Sequence, residues 1–127
     1  MRSLARESVF QYIFSRLFNP SDEGLFSVLC KELNDDDKKF AAELLSSIDA
    51  NEEKYLTQIE KLSNGYALNR LHRADKCALL IGIAELNNFD TPPFVVVDEA
   101  VNLVAKFSTE SSTSFVNGIL AEYIKEK

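Results

Sequence analysis

The stretch TPPFVVVDEAVNLVAKFSTESSTSFVNGIL, residues 91–120, decides how this chain is read. Thr91 is a cap-type residue, and a proline at the first helical position costs nothing for its missing N–H. The run Val95-Val96-Val97 suits a strand. However, Val97, Ala100, Val101, Val104 and Phe107 recur at three-four spacing, so the segment reads as one helix. A short polar turn follows. Phe115, Val116, Ile119, Leu120, Tyr123 and Ile124 then repeat the spacing in a last helix.

Working outward, residues 73–89 are apolar almost all round (Ala74, Cys77, Ala78, Leu79, Leu80, Ile81, Ile83, Ala84, Leu86), the pattern of a helix buried at the centre. Asp49 with Glu52 resembles a capping box that opens a helix carrying Tyr55, Leu56, Ile59 and Leu62, ended by Ser63-Asn64-Gly65. Residues 36–48 and 21–33 are further helices, with Asp35-Asp36-Asp37 where a helix start favours negative charge. The first helix spans residues 3–18 and stops before Asn19-Pro20, because the residue ahead of a proline is pushed out of the α region. With four glycines and three prolines as punctuation, the chain reads as all-α.

At 127 residues and 14.3 kDa the chain is the size of one domain, and 46% hydrophobic with 27% charged residues is the composition of a folded globular protein. Cys30 and Cys77 fit no zinc or redox spacing and sit among apolar neighbours, which reads as buried small hydrophobes in a reducing cytoplasm. Apolar runs fall well short of the roughly 18 residues of a membrane helix, so no membrane role is expected. A net charge of −6 and pI near 4.8 predict weak nonspecific affinity for nucleic acid, with phosphate contacts confined to a local basic patch.

Chemistry-bearing motifs are scarce. His72 is the sole histidine and has no ligand cluster beside it, so no metal is expected. Glycine-rich phosphate loops, nucleophile elbows and paired cysteines are missing, and no cofactor or enzymatic activity is expected. The adjacent acids Asp98 and Glu99 read as surface charge. Arg2, Arg6 and Arg16 fall within an arc of about 80° on a regular first helix, enough for one basic stripe.

Three patches together resemble the NusB family of bacterial transcription antitermination factors. They are Ala5-Arg6-Glu7 with Gln11-Tyr12-Ile13-Phe14 at the start, LHRADKCALLIGIAEL at residues 71–86, and the 91–120 stretch closing in Phe115-Val116-Asn117-Gly118-Ile119-Leu120. The patches occur in family order and span nearly the whole chain. The resemblance implies an all-α NusB-like fold of about seven helices in two packed bundles, with residues 1–127 forming a single RNA-binding domain. It also implies binding to boxA-type ribosomal leader RNA together with NusE, a small-subunit ribosomal protein, within an RNA polymerase antitermination complex, without catalysis.

By position, the resemblance assigns RNA binding to Arg2, Arg6, Lys106, Phe115 and Asn117, and partner binding to Phe14 and Asp75. Arginine and lysine suit phosphates, while an aromatic or amide suits an unstacked base. An aromatic at helical spacing also suits a core, and an asparagine near a helix start also suits a cap, so Phe115 and Asn117 carry both readings. The chain departs from the family where relatives have basic residues: Ala105 precedes Lys106, Ser114 precedes Phe115, and Leu80 stands in the central helix. Ser108 and Ser111 replace a glycine and an acid. Weak RNA affinity for the isolated chain, with strong dependence on the partner, follows from the thinned charge. Three alternatives stay open: an interaction module on the same fold that has lost useful RNA binding, the amino-terminal part of an rRNA methyltransferase, and a homodimer.

Overall fold

The computed structural model describes residues 2–18, 24–63 and 71–127. Those residues form six helices and no strand: α1 (Arg2–Arg16), α2 (Leu25–Leu29), α3 (Asp35–Leu62), α4 (Arg73–Asn88), α5 (Pro93–Phe107) and α6 (Glu110–Glu126). The expected stop at Asn19-Pro20, the start of the 21–33 helix and the Asn64-Gly65 end lie outside the described residues.

Helix α4 packs against α1, α3, α5 and α6, which explains its apolar circumference. Every residue from Cys77 to Glu85 is buried. Gly82 lets α6 approach closely, since a Cβ there would lie 3.0 Å from Leu120 Cδ1. Both cysteines are free and buried, and burial pushes both thiols up, Cys77 to about 12. Ring stacking of Phe10 on Phe107 (4.9 Å between centroids) ties α1 to α5, and Phe40 against Phe89 (4.8 Å) ties α3 to the end of α4.

Local boundaries depart from expectation in three places. The helix expected over 21–33 is helical only over Leu25–Leu29 among the described residues, because Asn34 Oδ1 accepts the Asp37 N–H at 2.8 Å and starts a new helix at Asp35. The acids Asp35, Asp36 and Asp37 form the first turn of that helix, as expected from the dipole. The capping box at Asp49 and Glu52 does not form. Instead one helix, α3, continues through a kink at Asn51 (φ −127°, ψ 15°), where the Asn51 amide donates to the Ser47 carbonyl at 2.9 Å. Two helices meeting at this kink account for the expected count of about seven. Finally, Pro92 rather than Thr91 is the cap residue of α5, with Pro93 at the first helical position.

Candidate nucleic-acid interface

Helices α1 and α5 run side by side in the same direction, and their seam collects most of the expected basic residues. Along it, Ser3 Oγ donates to Glu99 at 2.8 Å, and Lys106 Nζ donates to Glu7 at 2.8 Å. At the start of the seam Arg2 is exposed, its guanidinium 4.5 Å above the Phe40 ring and 6.0 Å from that of Phe89. No ion pair engages Arg2 among the described residues, so its charge is available to a phosphate or a base.

Arg6 does not present its guanidinium on the surface, contrary to the stripe expected from spacing. It is only 4% exposed and donates from Nε and Nη2 to the two carboxylate oxygens of Glu85, at 2.7 and 2.6 Å. Glu99 lies 3.7 Å from its Nη1. Glu85 itself is 1% exposed. A buried carboxylate in the most apolar helix needs such a bidentate partner, because uncompensated charge in the interior is strongly unfavourable. Arg6 therefore locks α1 onto α4 and holds Arg2, one turn earlier, in place. Arg16, the third member of the stripe, pairs with Asp49 at 2.8 Å. Glu99, read from sequence as plain surface charge, is half-buried against Ser3 and Arg6.

Lys106 is exposed but already paired with Glu7. Phe115 is half-buried against the core, so its ring is partly a packing element. Asn117 is exposed on α6, with no hydrogen bond to its side chain among the described residues, so it does not serve as the helix cap, a role Thr109 occupies. Beside it, Gly118 has open space where a Cβ would stand.

The two expected partner-binding residues lie toward the opposite end, where α1 finishes and α4 begins. Phe14 is half-buried, with ring centroids 5.9 Å from Phe10 and 5.5 Å from the exposed Phe18. The Arg73 guanidinium sits 4.8 Å over Phe18. Asp75, expected at the partner surface, is 5% exposed. Its oxygens accept from Ser108 Oγ at 3.0 Å and Ser112 Oγ at 2.9 Å, tying the start of α4 to the α5–α6 turn. His72 Nδ1 lies 3.7 Å from the same carboxylate, with its ring mostly exposed. No group of residues among those described could hold a metal ion.

Sequence reasoning missed Phe40, Phe89, Glu85 and Arg73. A signal existed for Glu85, an acid in the middle of an apolar helix, which demands a buried cation. None existed for the aromatic platform, because Phe40 and Phe89 meet only in the tertiary structure.

The model of the NusB family matches residues 2–125. The chain belongs to the NusB family. A relative from Acetivibrio thermocellus, named transcription antitermination protein NusB, is 36% identical over 97 residues, covering 76% of this chain and 67% of its own length. The NusB of Natranaerobius thermophilus is 32% identical over 126 residues, covering 94% and 91%. Among solved structures, T. maritima NusB superposes with a TM-score of 0.91 at 27% identity, covering 99% of this chain and 92% of that one. A structure of antitermination factors NusB and NusE in complex with dsRNA gives 0.86 at 28% identity, covering 99% and 97%. The NusB fold is therefore preserved over almost the whole chain, including both ends of the α1–α5 seam.

Proposed function

We propose that this chain is a transcription antitermination factor that binds boxA-type single-stranded ribosomal leader RNA together with a NusE-like small-subunit ribosomal protein, and so promotes completion of ribosomal transcripts by RNA polymerase. The observation that carries this reading is the match over 94% of the chain to the antitermination protein NusB of Natranaerobius thermophilus, together with the likeness of the fold to a solved structure of NusB and NusE in complex with dsRNA. Residues 1–127 act as one RNA-binding domain in the cytoplasm, in a non-catalytic role.

In this reading RNA lies along the α1–α5 seam. Arg2 meets it first, Lys106 joins by exchanging Glu7 for a phosphate, and Asn117 and the exposed edge of Phe115 meet bases. Arg6 acts as a positioning residue behind Arg2. The partner meets Phe14 with its exposed neighbours Leu17 and Phe18, while Asp75 holds the start of α4 against the α5–α6 turn. The test is fluorescence anisotropy with boxA-type RNA and the partner present. Arg2→Ala should weaken binding and lower the slope of log affinity against log salt by roughly 0.7, the single-strand value for one phosphate contact, or leave the slope unchanged if Arg2 meets only a base. Unaltered affinity would remove the seam from the RNA path.

One observation favours a second reading, an interaction module that binds the partner alone. Of the three basic residues expected to meet RNA, Arg6 and Lys106 are paired internally. Partner binding with no RNA contribution would decide for it.

A further inference from the structure

Where α1 begins and α4 passes into α5, an open hollow of about 470 Å³ is lined by Arg2, Asn88, Phe89, Asp90, Thr91 and Pro92. We propose that this hollow is a subsite for one unstacked nucleobase bearing an exocyclic amino group, with Arg2 as the stacking surface and Asp90 as the acceptor. The inference rests on the RNA-binding reading above and adds to it a base-selecting position.

Three features point to a base rather than a phosphate. First, the Arg2 guanidinium carbon lies 4.5 Å from the centre of the Phe40 ring and 6.0 Å from that of Phe89, contacts that steady an otherwise exposed cation on which a second planar group can stack. Second, the Asp90 carboxylate is exposed, with no hydrogen bond or ion pair among the described residues. A free negative charge repels phosphate, but it accepts the N–H donors of a base edge. Third, α5 opens on Pro92 and Pro93, which have no N–H, and Val95 and Val96 donate to the Pro92 carbonyl, so this helix start offers an anion fewer donors than most. The Asn88 amide cannot substitute, because its nitrogen is committed to Ser47 Oγ at 2.6 Å and the Ala84 carbonyl at 2.7 Å. A cation steadied on aromatic rings, an apolar rim, the free Asp90 carboxylate and the Thr91 hydroxyl, unpartnered among the described residues, describe a base pocket. Adenine, cytosine and guanine each carry the amino donor, whereas uracil offers only its N3–H, flanked by two carbonyl oxygens that the carboxylate repels.

The experiment measures anisotropy of the protein with its NusE-like partner against a series of single-stranded RNAs, each with uracil or an abasic sugar at one position. One position should stand out, with an affinity loss of about tenfold for uracil and at least as much for the abasic sugar. In Asp90→Ala that position should lose its preference for amino-bearing bases, while RNAs already carrying uracil there bind at least as tightly as to the unchanged protein, since a repulsive charge has gone. The abasic penalty should persist in Asp90→Ala and vanish in Arg2→Ala. Binding with no such position, or a uniform effect of Asp90→Ala on every RNA, would overturn the subsite while leaving the RNA-binding reading intact. Failure of every RNA to bind would overturn both.

Discussion

Arg2 and Arg6 stand one helical turn apart on α1, and their surroundings give them opposite tasks. Sequence spacing places both on one stripe, but it does not show that Glu85, 79 residues away, waits beneath one of them. Arg6→Ala would strand the Glu85 carboxylate in the core, and we expect a loss of about 3–5 kcal/mol in urea denaturation. Arg2→Ala should unfold at nearly the same urea concentration as the unchanged protein, so its effect on RNA is interpretable where that of Arg6→Ala is not. Cys77 offers a second check. Burial, far more than its charged neighbours, raises its thiol from near 9 to about 12, so the folded state keeps a proton that the unfolded state releases. Its linkage is silent below pH 9, and stability should fall by about 1.4 kcal/mol per pH unit between roughly 9 and 12. Denaturation at pH 8 and pH 10 should show this fall, and Cys77→Ala should reduce it.

Among the elements, legibility followed periodicity. Helices α4, α5 and α6 could be read because long three-four patterns dictate which face is buried, and the valine run of α5 is helical for that reason. Helix α3 was read as two because an acid three residues ahead of a glutamate imitates a cap, whereas the tertiary structure keeps the helix continuous and Arg16 takes Asp49. The short helix α2 carried too little periodicity to fix its ends. The two helical glycines make a paired prediction. At Gly82 the added methyl would press on fully buried Leu120, and crowding should outweigh the gain in helix propensity, so Gly82→Ala should lose about 1 kcal/mol. At Gly118 nothing stands in the way, and Gly118→Ala should gain up to about 1 kcal/mol in the same denaturation assay.

For the molecule as a whole, charge and fold pull in different directions. The NusB fold was legible from three motifs spread along the chain, because motifs in order with family spacing constrain topology as well as local structure. The interface was legible only in part. Positions could be transferred from the family, but burial of Arg6 and Asp75 and the internal pairing of Lys106 depend on contacts across the fold. A net charge of −6 repels RNA at long range and attracts a basic ribosomal protein, so the partner should bind first and bring RNA to the seam. The central claim is cooperative recognition, and fluorescence anisotropy of a boxA-type RNA and a scrambled control, with and without the NusE-like partner at physiological salt, tests it directly. We predict weak, unselective binding by the chain alone and tighter binding with the partner that favours the boxA-type RNA. Equal affinity for both RNAs with the partner bound, or no gain from the partner at all, would contradict the account.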